Sequence, residues 1–160
     1  MLRAVYGMTE EQARSTPSAS QLSLSALLKH LTQGERASMA VRVGGRAAET
    51  DPQADWMAGF QVGPEETVPV LLGRWAAVAA ETEEVIRAEP DLGRVVELSD
   101  DVRQWMPEGV ETTVRWLLLH QIEEQARHAG HADVIRESID GKNAWQLEAE
   151  TQGIRGAGWG

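Results

Sequence analysis

Apolar residues recur at three-and-four spacing in three long stretches of the chain, and no run between them keeps the strict alternation of a strand. The pattern predicts an all-α fold. The first stretch opens at Ser23 or Ser25, either of which suits a helix cap, and runs to about Val43 before Gly44 and Gly45. The second, Glu65 to Ala88, sets Val68, Leu71, Leu72, Trp75, Val78, Ala79 and Val85 along one face and stops before Pro90. The third starts at Thr112 or Thr113 and ends at Asp140 and Gly141. Upstream, Met1 to Tyr6 reads as the tail of a helix closed by Gly7, and Thr9 with Gln12 forms a capping-box signature. Two long connections remain. In residues 46–64, Trp56, Met57 and Phe60 are apolar plugs for one end of the core; in 89–111, Val95, Val96, Leu98 and Trp105 lie extended over the bundle. Residues 1–150 are thus expected to form one helical domain and residues 151–160 a flexible tail.

The chain has 160 residues, one domain's worth, with 15 Lys plus Arg against 25 Asp plus Glu, a net charge of −10. So acidic a surface repels phosphate backbones and anionic lipid, which argues against nucleic-acid and membrane partners. The longest strongly apolar run, Trp116 to Leu119, is far short of the ~20 residues that span a bilayer, and the N-terminus carries no secretory pattern. A cytoplasmic protein is expected. The absence of cysteine excludes disulfides, Cys-ligated zinc, iron–sulfur clusters and a thiol nucleophile of the protein's own. No HExxH, Glu-x-x-His, GxGxxG or GxxxxGK[ST] motif occurs, which disfavours zincin-type, di-iron and nucleotide chemistry.

Candidate chemistry concentrates in RWLLLHQIEEQARHAGHADVIRESI, residues 115–139. At ~100° per residue and with Glu124 as zero, His131 falls near −20°, His120 near −40° and His128 near +40°, beside Leu117 and Ile135 at about +20°. Four polar groups on a core stripe need partners. His30 shares a face with Leu27, Ala37 and Val41, and Gly34 one turn on removes bulk beside it. Facing helices of a bundle build metal sites in this way. Glu124 and His128, four apart, can bite one ion with His30 as third ligand from across the core; zinc is foremost, and nickel, iron and manganese also suit the set. His131, one turn on, is expected first to hydrogen-bond a ligand, with an extra ligand or a proton carrier as the alternatives. A satisfied polar network without metal is the competing reading.

These residues resemble the DinB-like superfamily of metal-binding four-helix bundles, closest to its mycothiol-dependent branch. The likeness spans about Gly7 to Gly141 and is strongest in LLLHQIEEQARHAGHADVIRESIDG, followed by LSALLKHLTQGER and MAGFQVGPEETV. By the superfamily pattern, His30, Glu124 and His128 take the ligand positions. Only Met1 to Tyr6 stands before Gly7, where relatives have a full first helix, so the expected fold is a bundle with a shortened first helix, completed by another element such as a second subunit. A homodimer is expected for the same reason. The resemblance implies a thiol-cofactor-dependent S-transferase or related detoxification enzyme acting on a small molecule, with mycothiol as the candidate thiol. Glu123, His120 and His131 are candidate bases or orienters, and Arg127 and Arg36 candidate contacts for an anionic cofactor. Trp56 and Trp105 are candidate substrate walls. A metal-dependent hydrolase of a small amide or ester, and a non-catalytic dimeric bundle with a structural metal, are the alternatives.

Overall fold

A computed structural model describes residues 1–48, 59–104, 106 and 108–152. The described residues form an all-helical bundle in which a single antiparallel bridge, Val95 to Thr113, is the one strand-like pairing. A 3-10 turn (Leu2–Val5) leads to α1 (Glu10–Arg14), where the reciprocal Thr9 and Gln12 bonds form the expected capping box. Helix α2 (Leu24–Arg36) starts at Ser23, whose Oγ accepts from the Ala26 N–H. Its Leu24, Leu27, Leu28 and Leu31 are buried against the rest of the bundle.

The single helix expected to Val43 changes character after Arg36, and Ala37–Val43 is wound as a π-helix. This wider segment buries Met39, Ala40 and Val43 and closes an apolar cluster with Val85, Val96, Val114 and Leu117. It ends at Gly44, where a Cβ would lie 2.7 Å from the Val85 side chain, so only glycine lets the backbone pass so near the next helix.

Helix α3 (Val68–Ala88) begins three residues later than the periodicity indicates. Glu66 is occupied outside the helix by Lys29, Arg74 and the Gly63 N–H, and Pro69 supplies the preset φ of a first helical turn. A short helix α4 (Asp100–Arg103) interrupts the second connection. There Val96 and Leu98 are buried, as expected, but Val95 faces outward. Helix α5 (Val114–Asp140) is capped by the Thr113 side chain and ends at Gly141, with φ +76°. Helix α6 (Ala144–Thr151), not foreseen from periodicity, is opened by an Asn143–Gln146 capping box and buries Leu147 and Thr151. Trp56, Met57, Trp105 and residues 153–160 lie outside the described residues.

Helix α2 packs against both α3 and α5, and the π segment continues both contacts. Burying a leucine side chain contributes about 2 kcal/mol, whereas an exposed pair such as Arg87–Glu83 is worth under about 1 kcal/mol, so the apolar clusters hold the bundle. No helix among the described residues is long and apolar enough to cross a membrane.

One charge is part of the core. Arg136, 2% exposed, donates to the Ala4 and Tyr6 carbonyls and, through two nitrogens, to Asp140. It staples the N-terminal turn to α5. The Arg136 hydrogen bonds also hold the Asp140 carboxyl below its ordinary range. Removing a partner from such a network costs about 3 kcal/mol, so Arg136→Ala should lower the melting temperature by roughly 10 °C. Asp140→Asn, at a more exposed position, should cost less. Thermal denaturation of the three proteins measures both.

Candidate metal centre

His30 stands in the middle of α2, and Glu124 and His128 stand one turn apart on α5, so the packing of these two helices decides whether they meet. They do. One ligand atom from each of the three residues lies within 4.8 Å of the others. The His30 and His128 ring centres are 5.0 Å apart at 74°, and His128 Nε2 is 3.4 Å from Glu124 Oε2. That separation is close to the ~3.3 Å edge of a tetrahedron with ~2.0 Å bonds, so this pair already stands at the spacing a zinc-like ion requires. His128 is buried at 8% exposure, and His30 and Glu124 are half-buried.

Burial lowers the pKa of both imidazoles. For His30 the neighbouring His128 adds to that effect and Glu124 opposes it; for His128, Glu124 again opposes, while His131 and Arg127 push further down. Two neutral imidazoles and a carboxylate are a set ready to bind a divalent cation without first losing protons from nitrogen.

The neighbouring residues are not equivalent. His131 Nδ1 lies 3.2 Å from His128 Nδ1, so His131 contacts the nitrogen of His128 that faces away from Glu124. Only one of these nitrogens can carry the proton, and that choice fixes the tautomer of His128. Arg127 reaches Glu124 Oε1 at 3.6 Å and Glu123 at 2.8 Å, linking the cluster to the helix surface. His120, 40% exposed on its side chain, stacks on Trp116 and approaches Glu123 at 3.5 Å. Arg36 pairs with Glu81 of α3.

The expected inward stripe is therefore only partly inward. His128, Leu117, Ile135, Ala132, Val114 and Arg136 are the buried residues of α5, and their mean direction is about +60° on the wheel used above. At −20° and −40°, His131 and His120 fall at the edge of that arc. Gly34 is not required by close packing either, since an added Cβ meets no described atom within 4 Å.

Phe60 was legible as an apolar plug, but its partner was not. Its ring stacks on His30, with centres 4.2 Å apart and planes 19° apart. Two clefts of about 440 and 400 Å³ lie elsewhere, one between the end of the π segment and the end of α3, the other beside residues 103–111. Neither shares a residue with the cluster.

A family model for mycothiol S-transferases matches residues 1–141. The chain belongs to this family. The match runs from the N-terminal turn through the end of α5 and includes all three residues of the cluster. It bears out the DinB-like, mycothiol-dependent resemblance of the sequence. No curated protein and no solved structure matches the chain.

The lowered imidazole pKa values give a signed pH effect. The native protein takes up protons on His30 and His128 less readily than the unfolded chain, whose histidines titrate near 6.5. Stability from this source is complete above about pH 6.5 and is lost as pH falls toward the lowered native values. Metal-free protein should melt at a lower temperature at pH 5 than at pH 7.5. A variant carrying His30→Gln and His128→Gln should show a smaller difference in the same thermal scans.

Proposed function

We propose that the protein is a metal-dependent thiol S-transferase in which His30, Glu124 and His128 hold one divalent cation, zinc foremost. The observation that carries this reading is the convergence of the three ligand atoms within 4.8 Å, in a chain that belongs to the mycothiol S-transferase family. Two neutral imidazoles and one carboxylate leave a divalent ion with one net positive charge, which favours an anionic further ligand. Such an ion, when bound, lowers the pKa of a coordinated thiol and makes it a thiolate nucleophile near neutral pH. With no cysteine in the chain, the sulfur comes from a small thiol such as mycothiol, and the second substrate is a small electrophile. We place this activity in the cytoplasm.

The chain's own residues divide the remaining work. His131 orients His128 through the Nδ1 contact and, being exposed, can pass a proton to solvent. Arg127 steadies Glu124, and its guanidinium and that of Arg36 are the candidate contacts for an anionic portion of the thiol. Both are paired with carboxylates, Arg36 with Glu81 and Arg127 with Glu123 and Glu124, and Arg127 is the stronger of the two because it touches a residue of the cluster itself. Glu123 and His120 form a more distant pair on the same helix, suited to proton relay at the rim.

We further propose a homodimer formed by the outer face of α5. Leu119 and Ile122 are 61% and 65% exposed there. Together with Arg115, Ala126, Gly130 and Glu137 they fall within about 80° of arc. An antiparallel two-fold through Ala126 sets Ile122 against Gly130 of the partner subunit and Arg115 against Glu137 of the partner subunit, a self-complementary pairing of size and charge. Ile122→Asp should convert a dimer to a monomer in light scattering. A monomeric wild-type protein at micromolar concentration would overturn the dimer without touching the metal site.

The transferase reading is tested on cobalt-substituted protein. Wild type should bind one cobalt per chain, and a small thiol should then add a sulfur-to-metal charge-transfer band. His30→Ala should bind cobalt at least about 100-fold more weakly. Stoichiometric cobalt without a thiol response would favour the hydrolase alternative, and no cobalt binding would remove both.

A further inference from the structure

The loop that enters α3 is tied to the residue beside the candidate ligand. Lys29 Nζ donates to the Gln61 carbonyl at 2.7 Å and to Glu66 Oε2 at 2.8 Å. The neighbours of these two residues, His30 and Phe60, are the stacked pair. Lys29 to Gln61 and His30 to Phe60 are therefore two adjacent rungs between α2 and the loop.

Glu66 is the hub that keeps the loop in this register. Besides Lys29 it accepts from the Gly63 N–H at 2.9 Å and from Arg74 at 2.6 Å. Partial desolvation opposes its ionisation, but the bonds from Lys29, Gly63 and Arg74 prevail and hold its carboxyl at about 2. Arg14 of α1 adds bonds to the Val62, Gly63 and Glu66 carbonyls. Three helices thus grip a turn whose first side chain lies flat on His30. Retaining a bare apolar contact would not require so many polar ties.

We propose that Phe60 is a positioning residue for the metal centre, held by the Lys29–Glu66 bracket, and that it favours the metal-bound form of His30. This rests on His30 being a ligand. The physical reason lies in the stack: a divalent ion draws electron density from a coordinated imidazole, which strengthens its attraction to the electron-rich face of a neighbouring ring. The same stack limits rotation of His30 about its side-chain bonds and keeps water from one face of the ring. Phe60 therefore gains more contact energy with the metal-loaded ring than with the free one, and that difference appears as metal affinity.

The test is zinc affinity of the full-length protein by competition with a chromophoric chelator, together with the visible spectrum of the cobalt form. Phe60→Leu should weaken zinc binding about tenfold and shift the cobalt d–d bands, because ligand-orienting partners typically carry 10- to 100-fold of affinity. Phe60→Tyr should restore both. Glu66→Gln should weaken zinc binding in the same direction, and combining it with Phe60→Leu should add little, since Glu66 acts through Phe60. Wild-type affinity and an unchanged spectrum in Phe60→Leu would overturn the inference and leave the metal reading standing. Fully additive losses would overturn the bracket's part in it. Failure of the wild-type protein to bind zinc would overturn the inference and the metal reading together.

Discussion

The contact between α2 and α5 is the constraint on which the site depends. It brings an imidazole from one helix to a carboxylate and an imidazole from the other, in surroundings where an unpaired polar group would cost several kcal/mol. Leu27 from α2 and Ala132 and Ile135 from α5 share one buried cluster beside this contact, and Met39 from the π segment packs with Val114 and Leu117 in another. Apolar packing on both sides therefore sets the distance at which the polar groups meet. Within that distance they partly satisfy one another, and a cation would satisfy them further.

The same packing explains why the histidines of α5 differ in burial. A helix offers a neighbour only an arc of its surface, and α5 turns its arc so that His128 is covered while His131 and His120 emerge at its edge. Coverage keeps the His128 imidazole neutral. Emergence leaves His131 able to touch His128 on one side and solvent on the other. The chain's net charge of −10 adds a field that attracts cations.

Stability and site geometry share their supports. Arg136 anchors the N-terminal turn, and the Glu66 network anchors the loop that lays Phe60 on His30. Both use charged side chains to bind backbone carbonyls, a means of fixing irregular chain that has no helical ladder of its own. The bundle is regular where apolar faces meet and is held by polar ties where the chain turns.

Periodicity, caps and glycine stops determined the helical fold, the α5 limits and the start of α2, because these are local: a 3.6-residue repeat and an N-cap hydroxyl act within a few residues. The spacing of Glu124 and His128, with His30 on an inner face, likewise marked out the cluster. Tertiary structure decided what depends on neighbours distant in sequence. The π segment after Arg36 joins Met39 and Val43 to Val85, Val114 and Leu117, the α3 start follows from what Glu66 binds, and the unequal burial of His128, His131 and His120 from which part of the α5 surface the bundle covers. The depth of Arg136 and the Phe60 stack belong to the same class. A side chain's type and its place on a wheel are written in the chain, but burial and partners exist only once the helices have docked.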